Sequence, residues 1–152
     1  MTTRFLHVDL DAFFVEVCRQ LRPELRAVDL LVVGGDPKGR GVVQSASYGA
    51  RAYGVRAGMA SAEAARRCPG AVFVRTSFDD YRRASRAVRQ VLEEFSPLVV
   101  MASLDEGYLD MSDVATDFLR ARRVAEAVQA AVRGATSLSA SLGVASCKVV
   151  AK

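Results

Sequence analysis

Histidine and cysteine are scarce in this chain of 152 residues, and their scarcity excludes several kinds of site. His7 is the only histidine, so an ordinary zinc site is not expected, and a Ser-His-Asp triad would have to include His7. Cys18, Cys68 and Cys147 are scattered and form no Cys-x-x-Cys pair. Such cysteines indicate reduced thiols in a cytoplasmic protein, because a disulfide framework needs cysteines in pairs.

Long apolar runs are also absent from the sequence. No run approaches the roughly 20 residues of a membrane-spanning helix, and the N-terminus carries no hydrophobic stretch before Asp9. We therefore expect neither a membrane segment nor a signal peptide. Lysine is limited to Lys38, Lys148 and Lys152, yet the net charge is +4, which is compatible with a polyanionic partner without requiring one.

The remaining composition is that of a globular protein, with 51% hydrophobic and 25% charged residues. A chain of this length can form one domain with a buried core and a small insertion. Hydrophobic periodicity predicts the order β-α-β, a short insertion, and then α-β-β-α-β. The strands are predicted at about residues 4–10, 29–35, 42–47, 71–74, 98–104, 107–111 and 137–145, and the helices at about 11–21, 48–54, 61–70, 79–94 and 113–133.

This order of elements predicts the fold class. Setting residues 39–77 aside as an insertion leaves a split βαβ arrangement. We therefore expect an α+β, ferredoxin-like fold, in which an antiparallel-rich sheet carries its helices on one face. Asp11 and Ser61 are the expected N-caps of two helices, because short polar side chains there accept hydrogen bonds from the first turn.

Residues 98–112, LVVMASLDEGYLDMS, place two adjacent carboxylates between two apolar segments. The flanking segments have the composition of buried strands, and Gly107 permits a bend, so Asp105 and Glu106 are expected at the tip of a hairpin. Neighbouring residues of a strand point to opposite faces. Both acids can therefore face one site only where the backbone turns.

Asp9 ends the first predicted strand and is expected near this hairpin if the two strands are neighbours. Three carboxylates meeting there would repel one another and raise one another's pKa values. Mg²⁺ is the simplest compensation, and two such ions about 4 Å apart can activate a hydroxyl and stabilise a leaving phosphate. The residues alone leave two alternatives: Asp105 and Glu106 can be solvated acids in a turn, and an arginine can pair with Asp9.

Four blocks of the sequence resemble a known family. They are HVDLDAFF, VVQSASYGARAYGVRAGM, SLDEGYLDMSD and SLGVASCKVVAK. Their order and spacing are similar to those of the Y-family lesion-bypass DNA polymerases, and most similar to the DinB branch. The resemblance implies a ferredoxin-like palm at residues 1–38 and 78–152 and a small inserted fingers subdomain at residues 39–77. The thumb and little finger of the family would be absent from this chain, which would then be part of a longer enzyme.

The resemblance also implies roles for individual residues. Asp9, Asp105 and Glu106 match the catalytic acids that ligate two Mg²⁺ ions, and the backbone carbonyl of Leu10 matches a further metal ligand. The residues that match nucleotide contacts are Ala12 and Phe13 through their backbone amides, Phe14 as the steric gate, and Ser45, Tyr48 and Arg51 at the triphosphate. Lys148 and Lys152 match a basic segment that contacts DNA.

Several of these residues have ordinary structural explanations that the sequence leaves open. Phe14 can be a core residue of an amphipathic helix, and Arg51 can pack over Tyr48 at the surface because the two are three residues apart. Lys148 and Lys152 can belong to a solvated helix end.

The implied activity is template-directed DNA synthesis, specifically translesion synthesis, by two-metal nucleotidyl transfer from a deoxynucleoside triphosphate to a primer 3′-hydroxyl. Primer-template DNA and dNTP are the implied partners, with a sliding clamp contacted through the missing C-terminal part. The isolated chain is expected to be weakly active or inactive, because phosphate contacts from the missing domains supply DNA affinity. A nucleotidyl cyclase with a palm-like fold and a non-catalytic palm module are the alternatives.

Overall fold

The computed structural model describes residues 3–75 and 77–152. The chain forms two compact units. The split unit comprises the residues up to Asp11 together with Arg82–Lys152, and the continuous unit comprises Ala12–Tyr81. Across the residues just given, no helix has both the length and the apolar composition needed to cross a bilayer.

Thirteen helices and strands and one short 3₁₀ helix make up these residues. In chain order they are β1 (Phe5–Leu10), α1 (Phe13–Leu21), the 3₁₀ helix (Pro23–Leu25), β2 (Leu31–Gly34), β3 (Val43–Ala46), α2 (Tyr48–Ala52), α3 (Ser61–Arg67), β4 (Val72–Val74), α4 (Phe78–Glu93), β5 (Val99–Met101), β6 (Glu106–Asp110), α5 (Phe118–Thr136), β7 (Ala140–Ala145) and α6 (Lys148–Ala151). Along the chain, the split unit joins the continuous unit twice: between Asp11 and Ala12, and within α4 between Tyr81 and Arg82.

The split unit contains a four-stranded sheet in the order β5-β6-β1-β7. All three neighbouring pairs are antiparallel. The first strand of the chain thus lies between the hairpin β5–β6 and the last strand, which is the arrangement of a split βαβ fold. The expected α+β, ferredoxin-like fold class is therefore confirmed.

The two faces of this sheet differ because hydrophobic residues alternate along β1. Leu6, Val8 and Leu10 are buried on one face, and burying each such side chain contributes roughly 1.5–3 kcal/mol to stability. His7 and Asp9 point to the opposite face, which we call the polar face. The register that buries the three aliphatic residues thereby also sets the position of the two polar ones.

The continuous unit contains a three-stranded sheet in the order β3-β2-β4. β2 is antiparallel to β3 and parallel to β4, and α1 packs on β2 and β3. The buried core of the unit consists of Val32, Val43, Ala46, Ala50, Val55, Ala64 and Cys68. This unit is longer than the predicted insertion at residues 39–77, because β2 pairs with both strands that the predicted insertion contains.

The division into palm and fingers stays a prediction. A compact unit is defined by packing, whereas the palm and fingers are defined by their roles around a substrate, so the two boundaries need not coincide. Residues 1, 2 and 76 fall within the predicted ranges but lie outside the residues that the structure describes.

Two expected N-caps are wrong. The cap position of α1 is Ala12, whose backbone is left-handed with φ 46°, and its side chain makes no capping hydrogen bond. Asp11 instead accepts a hydrogen bond from Ser141 Oγ at 2.7 Å, through its Oδ1 atom. The cap position of α3 is Ala60, and Ser61 is the first helical residue. α1 thus begins one residue later, and α3 one residue earlier, than the polar side chain predicts.

The long helix α5 begins later and ends later than the predicted range 113–133. Asp117 is its N-cap, and the Asp117 carboxylate accepts a hydrogen bond from the Arg120 backbone at 2.7 Å. The preceding residues form turns instead, in which the backbone amides of Val114 and Ala115 donate to the carbonyl of Met111. A capping aspartate thus outweighs apolar periodicity in setting where this helix starts.

Candidate active site

The antiparallel pairing of β1 with β6 brings two acids together. Asp9 and Glu106 are direct cross-strand partners, so their side chains share the polar face. The Leu10 backbone amide donates to the carbonyl oxygen of Asp105 at 2.8 Å, which places Asp105 beside the end of β1. The sequence places Asp9 about a hundred residues before the other two acids, yet the sheet makes the three neighbours.

A tight connection between β5 and β6 positions Asp105. The backbone amides of Ala102 and Ser103 both donate to the carbonyl of Glu106, at 2.9 and 3.2 Å. The Ser103 hydroxyl donates to Asp105 Oδ1 at 2.7 Å and so restrains that carboxylate. Asp105 therefore lies in the turn and Glu106 begins the strand, so the alternation of strand side chains does not set the direction of the Asp105 side chain.

Each of His7, Asp9 and Glu106 offers one atom that can bind a metal ion, and these three atoms all lie within 4.8 Å of one another. Asp9 and Glu106 are half-buried, and His7 is only 4% exposed. A nitrogen and two carboxylate oxygens at this separation can surround a metal ion. The candidate site is thus a cluster of His7, Asp9 and Glu106, with Asp105 adjacent to it.

The surroundings of Asp9 and Glu106 shift the pKa values of the two acids in opposite directions. Burial raises the pKa of Asp9 above its ordinary value, and the negative charges of Asp105 and Glu106 raise that pKa further. Hydrogen bonds from Lys152 and His7 lower the pKa of Glu106. Among the described charged groups that shift the pKa of Asp9 there is no arginine, so the alternative of an arginine pair is not realised.

Two nitrogen atoms contact the same carboxylate oxygen of Glu106. His7 Nε2 and Lys152 Nζ each lie 2.8 Å from Glu106 Oε1. The His7 ring also lies against the Tyr108 ring, with 4.9 Å between centroids. The sequence-based interpretation considered His7 only as a zinc ligand or as the histidine of a Ser-His-Asp triad. The signal that could have revealed it is strand alternation, which puts residues 7 and 9 on the same face.

The two lysines of the C-terminal segment both lie against the polar face. Lys148 Nζ is 5.4 Å from the ring centroid of Phe5 and 5.7 Å from that of Tyr108, distances at which a cation is attracted to an aromatic face. Lys152 pairs with Glu106. Neither contact tests the predicted DNA-binding role, which stays a prediction.

A glycine allows α6 to approach this face closely. A Cβ atom added at Gly143 of β7 would lie 1.9 Å from the carbonyl oxygen of Ala151. Gly143 is the cross-strand partner of His7, so the backbone of α6 passes over the polar face at the level of the histidine. Any larger residue at position 143 would displace α6.

The predicted nucleotide contacts lie in the continuous unit. Ala12 and Phe13 are buried at the start of α1, where backbone amides lack partners within the helix. The Phe14 ring is half-buried and lies 4.7 Å from the Tyr81 ring in an edge-to-face arrangement. Phe14 is thus only partly a core residue.

The three fingers residues differ in exposure. Ser45 is buried on β3, whereas Tyr48 is 65% exposed at the start of α2. The Arg51 guanidinium lies 5.0 Å from the Tyr48 ring centroid, and Arg51 Nε donates to the carbonyl of Ala46 at 2.8 Å. The spacing correctly places Tyr48 and Arg51 on one face of a helix. This geometry suits both a phosphate contact and a plain surface pair, so the roles stay predictions.

Comparison with known proteins relates the whole chain to one family. A sequence model of the impB/mucB/samB family matches residues 8–152. The DNA polymerase IV of Alkalilimnicola ehrlichii is 46% identical over 149 residues, covering 98% of this chain and 42% of that protein. The DNA polymerase IV of Halorhodospira halophila is 42% identical over 149 residues, with the same coverage of 98% and 42%. The chain thus spans well under half the length of these curated relatives.

Solved structures give the same picture for the fold. DinB from Sulfolobus solfataricus matches with a TM-score of 0.88 and 29% identity, covering 97% of this chain and 43% of that one. An insertion ternary complex of Dbh DNA polymerase matches with a TM-score of 0.88 and 30% identity, covering 97% and 44%. A Y-family DNA polymerase chimera of Dbh and Dpo4 matches with a TM-score of 0.90 and 30% identity, covering 97% and 44%.

Proposed function

The chain belongs to the impB/mucB/samB family, and we propose that it forms the catalytic core of a Y-family DNA polymerase of the DinB type. The reaction is template-directed addition of a deoxynucleotide to a primer 3′-hydroxyl, in translesion synthesis. The convergence of Asp9 and Glu106 on one face of the sheet, with Asp105 beside them, is the observation that carries this proposal.

The donor set of the cluster fits a hard divalent cation. Asp9 and Glu106 supply carboxylate oxygens, which Mg²⁺ prefers as ligands, and the carboxylate of Asp105 is adjacent. The raised pKa of Asp9 reports that burial and neighbouring negative charge are not offset at this carboxylate, and a bound cation would offset them. On the family resemblance, Asp9, Asp105, Glu106 and the backbone carbonyl of Leu10 would hold two Mg²⁺ ions. When bound, the ions would stabilise charge on the phosphates and activate the hydroxyl.

The protein's own groups orient the acids and hold the substrates. The Ser103 hydroxyl restrains Asp105, and the donors on Oε1 restrain Glu106. In this proposal the start of α1, with the amides of Ala12 and Phe13, attracts the triphosphate, because a helix N-terminus favours anions. Positioning and charge stabilisation of this kind supply most of the catalysis in phosphoryl transfer.

Nucleotide selection and DNA contact follow from other side chains. Arg51 can fork onto phosphate oxygens while Tyr48 donates one more hydrogen bond, and Ser45 adds a third polar contact in the proposal. The flat ring of Phe14 would exclude a ribose 2′-hydroxyl by its bulk. Lys148 and Lys152 would contact DNA phosphates.

Primer-template DNA and dNTP are the proposed partners, and a sliding clamp is proposed to bind a part of the enzyme beyond this chain. A cytoplasmic location belongs to the same proposal, because these substrates are found there. The proposal makes this chain one part of a longer enzyme, since its relatives extend well beyond the matched region.

The deciding experiment is primer extension by the full-length protein with a labelled primer-template, Mg²⁺ and one dNTP at a time. We expect addition of the dNTP that is complementary to the template, and loss of this addition in Asp105→Asn. Ser96→Ala, which removes a buried hydroxyl that donates to the Asp110 carbonyl at the opposite end of β6 from Glu106, serves as the control. Formation of a cyclic nucleotide without primer extension would favour the cyclase alternative, and wild-type extension by Asp105→Asn would contradict the assignment of the acids.

A further inference from the structure

His7 is a buried polar residue whose presence the proposed catalysis does not explain. It lies on β1 two residues before Asp9, on the same face of the sheet, and only 4% of it is exposed. Its Nε2 atom is 2.8 Å from Glu106 Oε1. A buried polar ring costs stability unless it is hydrogen-bonded, so the chain places a costly group at this point and satisfies it with a predicted metal ligand.

The direction of this hydrogen bond follows from its acceptor. A glutamate carboxyl is ordinarily ionised at neutral pH, and an ionised carboxylate only accepts hydrogen bonds. His7 therefore carries its proton on Nε2 and donates. The ring is further restrained by Tyr108, whose ring centroid is 4.9 Å away at an interplanar angle of 47°.

We propose that His7 is a positioning residue that holds the Glu106 carboxylate toward Asp9, so that the two acids face each other before a cation binds. This inference rests on the proposed metal site. Hydrogen bonds to metal-ligating carboxylates fix their orientation, and removing such a partner commonly lowers metal affinity or activity.

His7 is better suited to this role than the second donor on the same oxygen atom. The side chain of Lys152 is 58% exposed and that of His7 is 6% exposed. An exposed lysine is mobile and its ion pair is screened by solvent. A buried ring on a central strand has one orientation and retains it, so it can set the rotamer of Glu106.

His7 could instead ligate the ion directly, since its nitrogen belongs to the cluster. Direct ligation through Nε2 would require loss of its proton and of the hydrogen bond to Glu106. Imidazole suits zinc and other transition metals, whereas Mg²⁺ prefers oxygen. For a magnesium site the hydrogen bond is therefore retained and His7 acts through Glu106.

The test measures binding of Mn²⁺, as a spectroscopic substitute for Mg²⁺, to this chain without substrates. His7→Phe keeps a flat ring against Tyr108 and removes the donor, while His7→Gln keeps an N–H group of similar reach. Asp9→Asn is the reference for loss of the metal site. Ser96→Ala is the matched control, because it removes a buried 2.6 Å hydrogen bond to the Asp110 carbonyl, in the same unit but at the opposite end of β6 from Glu106.

Mn²⁺ affinity is read from the electron paramagnetic resonance signal of the free ion, and folding of each variant from its thermal melting curve. We expect His7→Phe to weaken Mn²⁺ binding by about 10- to 100-fold, His7→Gln to recover most of the affinity, and Ser96→Ala to match the wild type. We also expect no nitrogen coupling to the bound Mn²⁺ in the wild type. If His7→Phe does not fold, His7→Leu replaces it.

Four results would overturn the inference. Wild-type affinity in His7→Phe, with weakened binding in Asp9→Asn, would remove the role of His7 and leave the proposed function intact. Equal losses in His7→Phe and His7→Gln would show that packing matters and the donor does not. Nitrogen coupling to Mn²⁺ would make His7 a ligand. Equal binding by the wild type and Asp9→Asn would overturn the metal site itself, and the inference with it.

Discussion

At the scale of single residues, Asp9 and Glu106 have different surroundings although they are cross-strand partners. Glu106 accepts hydrogen bonds from two cationic or polar side chains. Asp9 is acted on mainly by burial and by the negative charges of Asp105 and Glu106. The unpaired negative charge of the cluster is therefore concentrated on Asp9, and this residue should respond most strongly to pH and to added cations.

We expect Asp9→Asn to raise the thermal midpoint at neutral pH in the absence of divalent cations. The pKa of Asp9 is raised in the folded state, so its contribution to stability is present below the unfolded pKa and is lost as pH rises through the folded pKa. The increase in thermal midpoint that Asp9→Asn produces should therefore become smaller as the pH is lowered. Melting curves from acid to neutral pH measure this.

Added Mg²⁺ provides the complementary check on Asp9. Because a ligand that binds only the folded state stabilises it, Mg²⁺ should raise the midpoint of the wild type and leave that of Asp9→Asn nearly unchanged. If Asp9→Asn raised the thermal midpoint equally at all pH values, the electrostatic explanation would be contradicted.

Phe14 is the second residue whose role can be tested alone. If its ring is the steric gate, Phe14→Ala in the full-length protein should incorporate ATP and dATP with similar efficiency, while the wild type strongly prefers dATP. Primer extension with each nucleotide measures the ratio. Unchanged discrimination would make Phe14 only a packing partner of Tyr81.

Phe13→Leu is the control for this prediction, because Phe13 is fully buried beside Phe14. It should lower stability through lost packing and leave the preference for dATP unchanged. A change in sugar discrimination in Phe13→Leu would show that the shape of the whole helix start, and not the Phe14 ring, controls selection.

At the scale of secondary-structure elements, apolar patterning predicted which segments form strands and helices, but the ends depended on local contacts. Asp11 and Ser61 have the side chains of N-caps but do not cap, because α1 begins one residue later and α3 one residue earlier than predicted. β5 ends at Met101 because the next two amides bond to Glu106. Such competition between local hydrogen bonds is set by the folded backbone and cannot be determined from residue types alone.

The approach of α6 to β7 gives a prediction at this scale. Gly143→Ala should lower the free energy of unfolding by about 1–3 kcal/mol, because the added Cβ collides with the Ala151 backbone. It should also move Lys152 away from Glu106. Chemical denaturation measures the first effect and a crystal structure of the variant the second.

Gly134→Ala in α5 is the matched control for this substitution. Nothing lies within 4 Å of a Cβ atom at Gly134, so alanine there should stabilise the helix by about 0.5–1 kcal/mol. Equal effects of the two substitutions would show that α6 does not rest on β7 at Gly143.

At the scale of the whole molecule, the α+β fold could be predicted because the order and periodicity of the elements match a split βαβ sheet. The meeting of Asp9 with residues 105 and 106 could also be predicted once the two strands were taken as neighbours. The contacts of His7 and Lys152 with Glu106 could not, because they depend on the exact register of β1 with β6 and on where α6 lies. Register is a property of the assembled sheet and not of either strand.

The net charge of +4 is modest for a protein that binds DNA, so this chain alone should bind primer-template weakly. If Lys148 contacts a phosphate, Lys148→Ala should reduce the slope of log affinity against log salt concentration by about 1. Lys38→Ala, in the continuous unit, provides a charge-matched control. Fluorescence anisotropy over a salt series measures both slopes, and an equal effect of the two substitutions would contradict a specific phosphate contact.

The central claim is that acids from distant parts of the chain meet in one cluster to bind divalent cations. The most direct measurement is an anomalous-scattering map from crystals of this chain grown with Mn²⁺ and a deoxynucleoside triphosphate. We predict a peak within bonding distance of the Asp9, Asp105 and Glu106 carboxylates. Mn²⁺ bound elsewhere, with these three carboxylates free of metal, would contradict the claim.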